Sequence, residues 1–439
     1  MPVPVHLTAN VSRHFVSFPI TDLRQIKLQM LNWANRFNIC CLLDNQQYNL
    51  PHHQYECLLA AGASHILSAA AGNAFDQLKR FYDTRHDWLF GHFGYDLKNE
   101  LEPLHSGLPD YINFPDLFFF VPEIIVQLTA TEILIGAKAD HASIYQEICG
   151  MPLPETTASN QCLTIRHRMT KQEYIEVVAL LRQHILRGDC YEINFCQELY
   201  AANSVIDPVY TWQALAAAAP NPFAAFYKLN DKFLLCASPE RYLKKAGNQL
   251  YSQPMKGTWQ RSTSSESEDT RYKELLYNSA KDRSENVMVV DLVRNDLSKV
   301  CVEGSVQVDE LFGIYSFPNV HQMVSTVSGA IRPGLHLVDA IRATFPMGSM
   351  TGAPKKRVME LIEQYEKTRR GIYSGAVGYI TPDGDFDFNV VIRSIMYNAS
   401  RQYLSYLAGS GITWYSDPEM EYEECLLKAA AMKKVVSGK

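Results

Sequence analysis

Short apolar runs broken by turn residues dominate the chain, and their spacing predicts strands more often than helices. Positions 39–43 and 88–95 read as strands. So does Leu117-Phe118-Phe119-Phe120-Val121, a continuous apolar run of the kind a buried strand carries. Positions 76–82 read as a helix. Two β-rich runs, 241–246 and 249–253, flank Gly247-Asn248, a pair suited to a tight hairpin. In a two-residue hairpin, paired positions sum to a constant. Ala246 then faces Gln249 and Glu240 faces Met255, which leaves Lys256 one residue past the partner of Glu240. A second hairpin joins 374–381 to 385–397 through Pro382-Asp383-Gly384, and pairing Thr381 with Asp385 sets Tyr373 opposite Arg393. The next strand, 402–407, leads into a glycine turn at 407–412. Helices are expected over 270–297 and from Ser416-Asp417-Pro418-Glu419, where a cap, an early proline and a glutamate three residues after the serine mark a start. Positions 262–269 read as an exposed polar loop. Positions 151–160, rich in turn formers, read as a linker between an N-terminal segment, 1–150, and a second unit, 165–436.

A chain of 439 residues is too long for one ordinary core, so two lobes are expected. An apolar fraction of 47% with 20% charged residues is that of a soluble globular protein. The net charge of −6, with no basic run, argues against nucleic acid or an anionic membrane as partner. No apolar run can span a bilayer and no basic-then-apolar signal opens the chain, so the cytosol is its expected location. Ten cysteines without a C-x-x-C pair indicate reduced core residues, and neither zinc nor a redox dithiol.

Three constellations carry candidate chemistry. Glu240 and Lys256, beside Gly257, are either a reacting acid and amine or a surface ion pair. Glu421 and Glu424 share a helix face; with a carboxylate from the earlier helix they make either a magnesium site or a solvated helix start. Tyr373 with Arg393 is a carboxylate clamp, unless Arg393 pairs with a structural acid. Bare backbone at Gly409, Ser410 and Gly411 can offer amides to an anion. Gly348 to Lys355 is not a Walker A loop: the lysine stands three residues after the second glycine, a proline removes a donor, and no Ser or Thr follows.

The segments Gly188-Asp189-Cys190-Tyr191-Glu192-Ile193-Asn194, Ser238-Pro239-Glu240-Arg241, Pro254-Met255-Lys256-Gly257-Thr258, Asp282-Arg283-Ser284-Glu285-Asn286, Arg370-Gly371-Ile372-Tyr373-Ser374-Gly375 and Ile392-Arg393-Ser394 recur in a fixed order. With Gly348–Lys355 and the Gly409–Ile412 stretch, they make residues 164–433 resemble the chorismate-utilising enzymes; the N-terminal part is less similar. The resemblance implies an α+β fold of the anthranilate synthase component I type, two packed β-sheets forming a sandwich with helices outside. It implies chorismate bound through Mg2+, with Glu285 and Glu424 as direct ligands and Glu421 acting through water. Tyr373 and Arg393 would hold the enolpyruvyl carboxylate. Thr258 and the amides of Gly409, Ser410 and Gly411 would position the ring carboxylate, with Gly257 and Thr351 completing the substrate-binding set.

Lys256 stands where anthranilate synthase has alanine, which implies amination of chorismate at C4, towards para-aminobenzoate and folate. In that branch Lys256 attacks C2 while the C4 hydroxyl leaves with Glu240 as general acid; ammonia then adds at C4 and expels the lysine. A closed site near magnesium is expected to lower the Lys256 pKa towards ~7–8. Glu192 replaces both the lysine of water-using isochorismate and salicylate synthases and the glutamine usual in amino-transferring members, and the sequence gives it no role. Gln322 replaces a histidine tied to pyruvate elimination, with His321 pointing elsewhere, so the pyruvyl group stays and a separate lyase removes it. No G-x-C-x-G motif with a later histidine appears, so the ammonia comes from a separate glutaminase subunit, for which free ammonium can substitute. The alternatives are anthranilate synthase component I, an isochorismate or salicylate synthase, and a non-catalytic chorismate or tryptophan sensor, which would need no nucleophile at 256.

Overall fold

The computed structural model describes residues 13–438 apart from 49–51, 54, 139, 154–162, 263 and 318–319. Most of the expected linker, 154–160, therefore lies outside the described residues. Two open antiparallel sheets form the body, one of 12 strands and one of 10. The larger runs from His14–Pro19 through Ile39–Asp44, Phe223–Leu229, Lys232–Ser238, Ser394–Asn398 and Tyr403–Ile412 to Glu192–Ala202 and Gly352–Ala353. The smaller begins at Met255–Gln260 and passes through Val320–Ala330, Gln249–Gln253, Arg241–Ala246, Phe386–Asn389 and Ala376–Ile380 to Leu89–Phe93 and Leu117–Val121.

Period-two alternation explains the layering. In Ile39–Asp44, Ile39 and Cys41 face a core shared by both sheets, while Cys40 and Leu42 face a second core beneath helices. The shared core contains Phe90, Phe119, Leu234, Leu243 and Phe388, each worth about 1.5–3 kcal/mol by burial. The second core packs Trp33, Tyr174, Trp212, Leu361 and Cys425 from helices on the outer face of the larger sheet. Strands from the first 150 residues ladder directly with later ones: Ile39–Asp44 with Phe223–Leu229, and Leu89–Phe93 with Ala376–Ile380. The described cysteines are all free, and all but Cys149 are buried.

Several local expectations need correction. The first hairpin forms with Ala246 opposite Gln249, but a bulge shifts the register so that Arg241 meets Gln253. Glu240 consequently has no rung with Met255, which pairs instead with Val324. In the second hairpin Thr381 N–H donates to Asp385 O as expected, but the ladder ends after Gly378 and Phe388, and Arg393 lies in the chain's passage from one sheet to the other, at φ +50°. The expected helix over 270–297 is two, Glu266–Asn278 and Ala280–Ser298, divided at Ser279, whose hydroxyl caps the second. Asp269 is no exposed loop residue: it is buried, bound by Arg261 and by His321 Nε2 at 2.8 Å. The Gly409–Ile412 turn is strand, fully buried and paired with Glu192–Ala202. Asp417, not Ser416, caps the last helix.

Lys355 is structural. Its Nζ donates to Asp296 Oδ2 at 2.5 Å, to Thr344 O at 3.0 Å and to Pro346 O at 2.6 Å. Replacing it with alanine leaves the buried Asp296 only the half-exposed Lys299, 3.0 Å away, as counter-ion, and the expected loss is about 3 kcal/mol in denaturant unfolding.

Candidate active site

Glu240 and Arg393 each occupy a place where the chain crosses between the sheets. Glu240 lies between Lys232–Ser238 and Arg241–Ala246; Arg393 lies between Phe386–Asn389 and Ser394–Asn398. The crossings run side by side, with Val390 N–H donating to Glu240 O at 3.0 Å and Ala237 N–H to Arg393 O at 3.2 Å. Burial raises the Glu240 carboxyl from 4.5 to about 7, and the Ser349 hydroxyl, Lys256 and Arg393 draw back only part of that rise. Near neutral pH it can therefore donate a proton.

Burial also lowers the Arg393 guanidinium, to about 10, although Glu240 opposes the fall. With its amide oxygen turned inward, Gln322 accepts from both terminal nitrogens of Arg393 at 3.0 Å. Among the described residues no carboxylate stands within salt-bridge distance of this guanidinium, the condition of a receptor for an anionic ligand. Tyr373, expected as the other arm of a clamp, places its hydroxyl 3.6 Å from Cys196 Sγ. His321 does turn away from the site, towards Asp269 and Ser316.

Lys256 extends from the edge strand Met255–Gln260, and its Nζ donates to Glu192 Oε1 at 2.7 Å. This gives Glu192 a partner, which the sequence did not identify. It also reverses the expected pKa of the amine: burial alone would lower it, but Glu192, Glu285 and Glu424 carry it above the ordinary lysine range. Glu192 Oε2 remains buried without a hydrogen bond.

Gly411 makes this arrangement possible. A Cβ there would lie 2.7 Å from both Glu192 Oε1 and Lys256 Nζ. Gly411→Ala is expected to displace the amine and cut turnover about 100-fold while the fold survives, measured as kcat against melting temperature. Gly257 has φ +88°, and a Cβ there would meet Asp282 at 2.9 Å. Thr258 is exposed and paired with Gln322. The Thr351 hydroxyl donates to Met347 O and Gly348 O inside the fold, so it is not free for a ligand as expected.

The carboxylates converge from the first two turns of two helices, Glu285 from Ala280–Ser298 and Glu421 and Glu424 from Pro418–Ser437. They surround the Lys281 ammonium at 3.8, 3.7 and 3.7 Å. Burial lifts Glu285 to about 7 despite Lys256 and Lys281. Burial also works against the charge of Glu424, but Lys428, Lys281 and Lys256 outweigh it and hold the carboxyl at about 2. Glu285 Oε1 and Glu421 Oε2 are buried without hydrogen bonds. Among the described residues no three such groups are preassembled at coordination distance, yet oxygen donors already gathered around one cation, two of them unsatisfied, fit a hard divalent ion completed by water and ligand. Lys428 bridges this cluster to the strand, donating to Gly409 O at 3.1 Å and pairing with Glu424 at 2.8 Å. Sequence reasoning missed Lys281, Lys428 and Ser349; the lysines had a signal, standing four residues from Glu285 and Glu424 on the same helix faces.

A buried acid and amine, a guanidinium with no carboxylate partner among the described residues, and a carboxylate cluster, held between two sheets, fit a small polyanionic substrate. The chain belongs to the chorismate binding enzyme family, whose profile matches residues 35–434. It is 39% identical over 353 residues to aminodeoxychorismate synthase component 1 of Escherichia coli K12, covering 78% of this chain and 76% of that protein. To the Bacillus subtilis 168 protein of the same name it is 37% identical over 375 residues, covering 81% and 79%. The fold matches crystalline anthranilate synthase component I from Streptococcus pneumoniae TIGR4 with a TM-score of 0.75 and 24% identity, over 88% of this chain and 94% of that one. No helix among the described residues is long and apolar enough to cross a membrane.

Proposed function

We propose that this chain aminates chorismate at C4 with ammonia, giving 4-amino-4-deoxychorismate with its pyruvyl group intact. The observation that carries the reading is Lys256, an amine held beside Glu192 in a buried site that also contains a protonatable Glu240. Arg393, aided by Tyr373, takes the enolpyruvyl carboxylate. Lys256 passes a proton to Glu192 and bonds to C2; Glu240 protonates the departing C4 hydroxyl, which leaves as water. Ammonia bonds to C4, the ring double bonds shift back and the C2–Nζ bond breaks with its electron pair returning to Nζ; the new C4 ammonium gives a proton to Glu240, restoring the acid, and Glu192 returns its proton to Lys256. Glu285 and Glu424, with Glu421 through water, would hold Mg2+, which when bound neutralises the substrate's ring carboxylate.

Gln322, fixed on Arg393, leaves no histidine at its position for pyruvate elimination, so a separate lyase completes para-aminobenzoate formation. The ammonia donor is a glutamine amidotransferase subunit, and the assembly is cytosolic. With this chain alone, chorismate and magnesium, consumption of chorismate should require ammonium and not respond to glutamine; adding the amidotransferase should make glutamine effective. Glutamine-driven turnover by the chain alone would contradict the division of labour.

A further inference from the structure

The cation position is filled by a charge of the chain's own. Lys281 stands one helical turn before Glu285, and its Nζ lies 3.8 Å from Glu285 Oε1, 3.7 Å from Glu421 Oε1 and 3.7 Å from Glu424 Oε2. These spacings are too long for hydrogen bonds and nearly equal, so the ammonium is centred among the three carboxylates and not committed to one. Half of its side chain is exposed, so it can leave towards solvent without opening the core. Glu285 Oε1 and Glu421 Oε2, both buried, gain no hydrogen bond from it. The pocket thus has its charge balanced but its oxygen donors unsatisfied.

We propose that Lys281 is a place-holder for the divalent cation: it balances the carboxylates in the metal-free enzyme, must swing out for the cation to enter, and so keeps cation affinity low until the anionic substrate arrives. The inference rests on the reading of Glu285, Glu421 and Glu424 as the cation's donors. A dication and an ammonium cannot share a point of this size, since like charges a few ångströms apart repel strongly in a part-buried site. Lys256, Lys281 and Lys428 face Glu192, Glu285, Glu421 and Glu424, so the bare site is close to neutral. Adding a dication while the displaced Lys281 ammonium stays nearby, one helical turn from Glu285, sets three lysines and a dication against four carboxylates, one charge positive, until an anionic ligand enters. Lys281 thereby couples the two binding events, and the coupling is reciprocal.

The test is calorimetric titration of magnesium into the full chain without chorismate, for wild type, Lys281→Met and Lys281→Arg, with thermal unfolding of each. Lys281→Met keeps the length and loses the charge, and should bind magnesium at least about tenfold tighter; Lys281→Arg keeps the charge and should stay within about twofold of wild type. Adding chorismate should tighten magnesium binding more in wild type than in Lys281→Met. Without metal, Lys281→Met should melt lower than wild type and recover on adding magnesium. Equal or weaker magnesium affinity in Lys281→Met overturns the inference while leaving the cation site standing. Magnesium that binds no variant, with or without chorismate, overturns both.

Discussion

Lys256→Ala should abolish amination, with kcat falling at least about a thousandfold, while chorismate still binds. Among the described residues the amine hydrogen-bonds to Glu192 and lies against Gly411, so its removal takes away the nucleophile without disturbing Arg393. The protein should remain folded, although Glu192 is then left buried without its counter-ion. Chorismate binding is measured by calorimetry and turnover by product formation. Full activity in Lys256→Ala would rule out covalent participation of the lysine and leave family membership untouched.

Glu240→Gln is the second large effect, expected at about 10²–10⁴-fold in kcat through loss of the general acid. The wild-type rate should fall as pH rises through about 7, where Glu240 loses its proton, and the variant should lack that limb. Stability follows the same titration. A carboxyl whose pKa is raised by folding contributes stability that is fully present below the unfolded value of 4.5 and is lost as pH rises through about 7. At pH 8 the variant, carrying a neutral amide, should therefore be more stable than wild type, by roughly 2–4 kcal/mol. Chemical denaturation at pH 5 and pH 8 checks the sign; a wild type that gains stability between those values relative to the variant would contradict it.

Local pattern made much of this molecule legible. The Gly247-Asn248 hairpin, the buried Leu117–Val121 strand and the acidic first turn of the last helix depend on turn chemistry and period, and all three form. Counting along strands failed where the chain leaves a sheet. Glu240 and Arg393 do not face hairpin partners, because a bulge and a crossing between sheets intervene, and these are tertiary events that no dipeptide encodes. Ser279 divides what periodicity read as one helix, since its hydroxyl caps the second segment. Glycines at 409 and 411 looked like a turn but serve a strand that must pass close beneath other groups. The pKa of Lys256 was out of reach for a related reason: its sign depends on three carboxylates delivered by a strand and two helices far apart in the sequence.

The central claim is the identity of the product. Incubating the chain with chorismate, magnesium and ammonium, with and without aminodeoxychorismate lyase, and resolving the mixture by chromatography and mass spectrometry tests it directly. The predicted result is an aminated compound that keeps its pyruvyl group and becomes para-aminobenzoate only when the lyase is present. Anthranilate formed without lyase, or a hydroxylated isomer of chorismate, would contradict it.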